Sequence, residues 1–120
     1  RFKHDNAIDA TYTQYGDRRD IPPEMGTALF RICQESLANV AKHAQATMVE
    51  VVLDFEGSEI DLTIKDNGAG FTLDDDGKAG KSGGFGLISM RERALGQSGK
   101  FDVQSEKGRG TMIKVSFPLA

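Results

Sequence analysis

The chain has 120 residues, a formal net charge of −3, 38% hydrophobic and 28% charged residues, which fits one domain with its own core. The mildly acidic balance excludes a general basic footprint for nucleic acid, and no apolar run approaches the roughly 20 residues of a membrane-spanning helix. The one cysteine, Cys33, excludes an internal disulfide and fits a reducing compartment.

The opening "RFKHDNAIDA" lacks the apolar core of a secretory signal. Beginning on Arg, the chain reads as an excised piece, with residues 1–7 a linker remnant. "IDATYTQYG" at 8–16 alternates as a strand, placing Ile8, Ala10, Tyr12 and Gln14 on one face. After the loop "GDRRDIPPE", Pro23 suits a first helical turn, where its missing N–H costs nothing. From Glu24 to about Ala44, Met25, Leu29, Ile32, Ser36 or Leu37, and Val40 recur at helical spacing. "TMVEVVLDF" and "EIDLTIKD" are strands joined by the tight-turn signal "EGS".

Residues 68–84, "GAGFTLDDDGKAGKSGG", hold six glycines and no periodicity. A loop longer than about 12–15 residues in a compact domain is functional or disordered in most cases. "FGLISMRERALGQ" returns to helix, with Leu87, Ile88, Met90, Arg91 and Leu95 giving one apolar stripe and one charged face. "GKFDVQSE" and "GTMIKVSFPL" form a final hairpin around "KGRG". This order predicts an α+β fold: a two-layer sandwich with a mixed, mostly antiparallel sheet of about five strands and helices on one face.

Several residues could carry chemistry. On the long helix Glu35, Asn39, Lys42 and His43 fall at i, i+4, i+7 and i+8, one polar stripe. A solvated face would look the same. Asn39, however, is a poor mid-helix residue; an amide and a carboxylate one turn apart can hold Mg²⁺, and a lysine beyond can meet phosphate. Asp66, at the end of an apolar strand, is either a turn former in "DNG" or an acceptor for an exocyclic amine. Gly68 and Gly70 would let backbone approach a flat ligand.

"GGFGL" at 83–87 opens a helix with Gly-rich backbone, either a flexible helix start or an anion site. It is not a dinucleotide fingerprint: Ser89 stands where the third glycine belongs, and a loop precedes it in place of a strand. "EKGRGT" at 106–111 is a hairpin turn, with Thr111 facing a pocket or simply filling a strand. Arg91 and Arg93 suit surface pairs with acids such as Glu92; Asp74, Asp75 and Asp76 suit a solvated loop. His4 has no recognisable context.

Taken together, "QESLANVAKHA" resembles the N box of the histidine-kinase branch of the Bergerat-fold ATPases. "DNGAGF", "GGFGL" and "EKGRGT" resemble its three glycine boxes, in order, over residues 8–119. "KHA" and "MRER" resemble the branch of sensor kinases that partner LuxR-type response regulators. The resemblance implies that Asn39 and Glu35 serve Mg²⁺ bridging the ATP phosphates, Lys42 approaches phosphate oxygens, and His43 lines the phosphate end. Asp66 would accept from the adenine amino group. Gly68, Gly70 and Phe71 would shape the adenine floor, with Thr111 reaching adenine directly or through water. Gly84, Phe85, Gly86 and Leu87 would close on the nucleotide at the end of a mobile ATP lid (71–84), with Lys81 an added phosphate contact. Glu35, Asn39, Lys42 and His43 would be the catalytic set.

The resemblance also implies a catalytic half only. Neither His4 nor His43 sits in a phosphoacceptor motif, so the γ-phosphate would pass to a histidine on an absent dimerisation domain and then to a response-regulator aspartate. The parent would be a bacterial homodimer, membrane-bound or not, with this domain in the cytoplasm and no direct nucleic-acid contact. Ser89, where the branch often carries Gly, and the acids of "DDDG" depart from the pattern. The competing readings are an anti-sigma-factor-type serine kinase or gyrase-like ATPase, and a catalytically silent nucleotide-binding module.

Overall fold

The computed structural model describes residues 8–70 and 86–119, apart from the side chains of residues 43 and 44. Its strands are β1 (Asp9–Tyr15), β2 (Met48–Asp54), β3 (Glu59–Asp66), β4 (Lys100–Glu106) and β5 (Gly110–Pro118); its helices are α1 (Pro23–Asn39) and α2 (Leu87–Gly96). They form one mixed sheet in the order β1-β2-β3-β5-β4. Only β1–β2 is parallel; the other three pairings are antiparallel. The expected architecture is therefore present. β1 and β2 are parallel because α1 carries the chain back between them, the crossover that parallel neighbours require.

The register sorts the strand residues into two faces. Toward the helices, Tyr12, Val51, Ile64, Ile113 and Val103 form one cross-strand row, and Gln14, Leu53, Leu62, Val115 and Phe101 the next. Ile60 and Phe117 pair beyond them, both fully buried. The opposite face carries rows such as Thr11–Glu50–Lys65–Met112–Gln104, the polar-out pattern of a sheet wetted on one side. The core thus lies between the inner sheet face and the buried stripe Met25, Ala28, Ile32, Ser36 of α1 and Leu87, Met90, Ala94 of α2.

Two expectations need correction. The apolar stripe of the second helix is narrower than its sequence suggests. Ile88 (49% exposed) and Leu95 (52%) face outward, and the small Ala94 is buried instead. The first helix does reach Ala44, but its last turn, Val40–Ala44, is a π turn. That wider turn changes the rotation per residue, so Lys42 does not follow Glu35 and Asn39 at regular α-helical spacing. Gln45 ends it in the left-handed conformation (φ 53°).

Candidate functional site

One inner row differs from the others. Ala10, Val49, Asp66, Thr111 and Ser105 lie side by side across all five strands. Three of the five are polar, on a face whose neighbouring rows are apolar except for Gln14 at the β1 edge. Asp66 is only 7% exposed. Its Oδ1 accepts the Gly68 N–H at 2.8 Å, and it takes a further backbone hydrogen bond at Thr111. Burial pushes the Asp66 carboxyl above its usual range, and these two bonds only partly oppose that. Thr111 and Ser105 are joined through their hydroxyls at 2.9 Å.

The same end of the sheet receives the end of α1. Only Gln45–Thr47 separate the π turn from β2, whose Val49 pairs with Asp66. Asn39 is half-buried there, and Glu35, one turn earlier, is exposed. The Glu35 carboxylate lies against Gly86, the residue that precedes α2. A Cβ on Gly86 would stand 2.6 Å from Oε2, and Gly86 has φ 66°. Glycine at 86 thus permits both the left-handed turn and the close approach of an acid. One residue further along α1, the buried Ser36 Oγ donates to the Ile32 carbonyl at 2.8 Å and lies 3.4 Å from the Met90 sulfur of α2. The end of the glycine-rich segment is therefore braced on the helix that carries Glu35 and Asn39.

The other end of that segment is braced on the final hairpin. The Gly108 N–H donates to the Ala69 carbonyl at 2.6 Å. A Cβ on Gly70 (φ 67°) would fall 2.0 Å from the Glu106 carbonyl oxygen, and one on Gly110 (φ 85°) 2.1 Å from that of Asp66. So "DNGAG" and "EKGRG" are glycine-rich partly because their backbones pack on one another. Asn67, which drew no assignment from the sequence, is a clamp. Its Oδ1 accepts the N–H groups of Thr47 and Met48, each at 3.0 Å, and its Nδ2 donates to Thr47 Oγ1 at 2.9 Å. An Asn in a turn gives no sequence sign of such a distant partner.

The expected site residues Glu35, Asn39, Asp66, Gly68, Gly70, Gly86, Leu87 and Thr111 thus come to one end of the molecule. Lys42 is exposed on the π turn, and the His43 side chain lies outside what is described. So do Phe71, Lys81, Gly84, Phe85 and the acids at 74–76. Among the described residues, no three His, Cys, Asp or Glu side chains cluster to hold a metal ion. Glu35 and Asn39 nevertheless offer two oxygen ligands one turn apart. That small set suits magnesium, which takes most of its ligands from phosphate and water.

Comparison with known proteins agrees with this arrangement. Residues 25–120 match the family described as histidine kinase-, DNA gyrase B- and HSP90-like ATPase. The chain is 43% identical over 91 residues to the sensor histidine kinase LiaS of Bacillus subtilis, covering 76% of the chain and 24% of that protein. It is 34% identical over 118 residues to the histidine-protein kinase/phosphatase DegS of Brevibacillus brevis, covering 98% and 30%. It therefore spans about a quarter to a third of these relatives. The histidine kinase domain of the Erythrobacter litoralis EL346 blue-light-activated kinase shares the fold, with a TM-score of 0.75 at 21% identity over 98% of this chain and 56% of that one. With the Asp66 row, the Glu35–Gly86 contact and the family match in agreement, the chain belongs to the histidine kinase-, DNA gyrase B- and HSP90-like ATPase family.

Proposed function

We propose that this chain is the ATP-binding catalytic domain of a two-component sensor histidine kinase of the branch that partners LuxR-type regulators. It binds Mg·ATP and presents the γ-phosphate to a histidine on a dimerisation domain outside the chain, for relay to a response-regulator aspartate. Asp66, ionised, accepts the adenine 6-amino group, with Thr111 beside it and Gly68 and Gly70 at the floor with Phe71. Asn39 and Glu35 face the phosphate end, where the metal supplies charge neutralisation. Lys42 and His43, on the π turn, approach the phosphate oxygens. Residues 71–84 form a lid over the nucleotide, Lys81 adds a phosphate contact, and Gly84, Phe85, Gly86 and Leu87 close its far end. Phosphoryl transfer requires positioning and charge stabilisation more than covalent participation, and these groups supply both. The parent is a homodimer whose catalytic domains work on the cytoplasmic side.

The observation that carries this reading is the buried carboxylate of Asp66 in the polar row of an apolar face. Such a group is costly to keep unless a ligand uses it. Calorimetry of the chain with ATP, ADP and GTP, with and without Mg²⁺, tests it. ATP and ADP should bind, ATP more tightly with Mg²⁺, and GTP at least tenfold more weakly. No ATP binding would refute the reading.

A further inference from the structure

Ser105 closes the polar row of the sheet and stands outside the residues that the proposed function uses. On β4 the inner positions run Phe101, Val103, Ser105, paired with Val115, Ile113 and Thr111 of β5. The first two are apolar, as a sheet face packed under helices requires. Ser105 breaks that series with a hydroxyl, and it is half-buried. Its Oγ lies 3.2 Å from the Gly110 carbonyl oxygen and 2.9 Å from Thr111 Oγ1.

Proton counting fixes the direction of both bonds. A serine or threonine hydroxyl carries one proton and two lone pairs, whereas a carbonyl oxygen carries lone pairs alone. The Gly110 carbonyl can only accept, so the single Ser105 hydroxyl proton goes to it. Thr111 then donates to Ser105 Oγ. The reverse direction would leave the Ser105 and Gly110 oxygens facing each other with no proton between them. Thr111 is also held at its backbone: its N–H donates to the Asp66 carboxyl, and the two residues are register partners.

We propose that Ser105 is a positioning residue that sets base specificity: by taking the Thr111 hydroxyl proton, it makes Thr111 an acceptor toward the purine ring, beside the acceptor Asp66. This rests on the proposed function for its ligand, a purine nucleotide whose 6-position meets Asp66. Two acceptors side by side select for an amino group, which brings two N–H donors. They select against a ring oxygen, which brings only lone pairs. Without the Ser105 hydroxyl, the Thr111 proton is free to turn toward a ring oxygen, and the site takes either kind of purine more evenly. Selectivity of this sort comes from polar groups left unpaired by the wrong ligand, and shape alone does not supply it.

Inosine triphosphate is the probe, because it carries an oxygen where ATP has the 6-amino group and adds nothing at the 2-position. Calorimetry of both nucleotides with Mg²⁺ gives an affinity ratio for the chain and for each variant. The unsubstituted chain should prefer ATP by about tenfold or more. Ser105→Ala should narrow that ratio about 3- to 10-fold, the worth of one hydrogen bond, chiefly through tighter binding of inosine triphosphate. Ser105→Thr, which keeps the hydroxyl, should hold the ratio within about twofold. Added to Thr111→Val, Ser105→Ala should move the ratio by less than about 1.5-fold, since its effect runs through the Thr111 hydroxyl. A partly unfolded variant weakens both nucleotides by the same factor, so the ratio reads the hydroxyl and not the stability. An unchanged ratio in Ser105→Ala, or a narrowing that persists undiminished beside Thr111→Val, would overturn the proposal and leave the proposed function standing on its ATP binding. Binding of neither nucleotide by the unsubstituted chain would refute the proposed function, and this proposal with it.

Discussion

At the scale of single residues, Asp66 makes opposite demands on folding and on binding. Its carboxyl sits above the usual range because burial penalises the charge. The folded chain therefore holds this proton to higher pH than the unfolded chain. Its contribution to stability is greatest below the unfolded value of about 3.8 and declines as pH rises through the raised folded value. Adenine recognition has the other sign, because an amino donor is accepted best by the carboxylate. ATP affinity should thus be full above the raised pKa and fall as pH drops through it. Asp66→Asn should remove that pH dependence, weaken ATP about 10- to 100-fold, as expected for a charge-assisted hydrogen bond, and relax discrimination against GTP, whose ring offers an oxygen at the same position. Calorimetry between pH 5 and 8 measures all three. Asn39→Ala should act elsewhere: the gain in ATP affinity on adding Mg²⁺ should disappear, while affinity in chelator should change less than threefold.

At the scale of elements, the site depends on backbone contacts between two glycine-rich turns. Gly110→Ala places a methyl carbon on the Asp66 carbonyl at a position with φ 85°. Backbone cannot yield as a flexible side chain can, so the β3–β5 pairing must shift. A loss of about 3 kcal/mol or more is expected in urea unfolding, with weaker ATP binding because Asp66 moves with its strand. Gly108→Ala is the control. It shares the positive φ (82°) but has open space around it, so it should cost only the conformational penalty of about 1–2 kcal/mol. This contrast also marks how far the sequence could be read. Strand alternation and helix spacing placed every described element to within two or three residues, because each repeats its period long enough to register. The π turn was not legible: "VAKHA" is five residues, too short to reveal a change of period. Nor were the Glu35–Gly86 and Gly70–Glu106 approaches, which join residues far apart in the chain. Ile88 and Leu95 misled because the second helix buries only Leu87, Met90 and the small Ala94, so its buried stripe is narrower than its apolar one.

At the scale of the whole molecule, the site is assembled from α1, β3, the β4–β5 hairpin and the start of α2, and through them it touches most of the core. A ligand that bridges these parts should stabilise the entire fold and not one turn of it. If the domain unfolds in one step, ATP at 100 times its Kd should add about 2.7 kcal/mol. For a domain of this size that corresponds to a rise in Tm of about 8–14 °C. In Asp66→Asn, weakened 10- to 100-fold, the same ATP concentration should add only about 0.4–1.4 kcal/mol, about half the unsubstituted shift or less. Its unliganded Tm at pH 7 should not fall, since the substitution removes a buried charge. Glu50→Gln, on the opposite face of the sheet, should keep the full ATP shift. Differential scanning calorimetry of the three proteins with and without Mg·ATP separates the outcomes. An unchanged ATP shift in Asp66→Asn would remove adenine from the Asp66 row, and a shift lost equally in Glu50→Gln would place the nucleotide on the other face of the sheet.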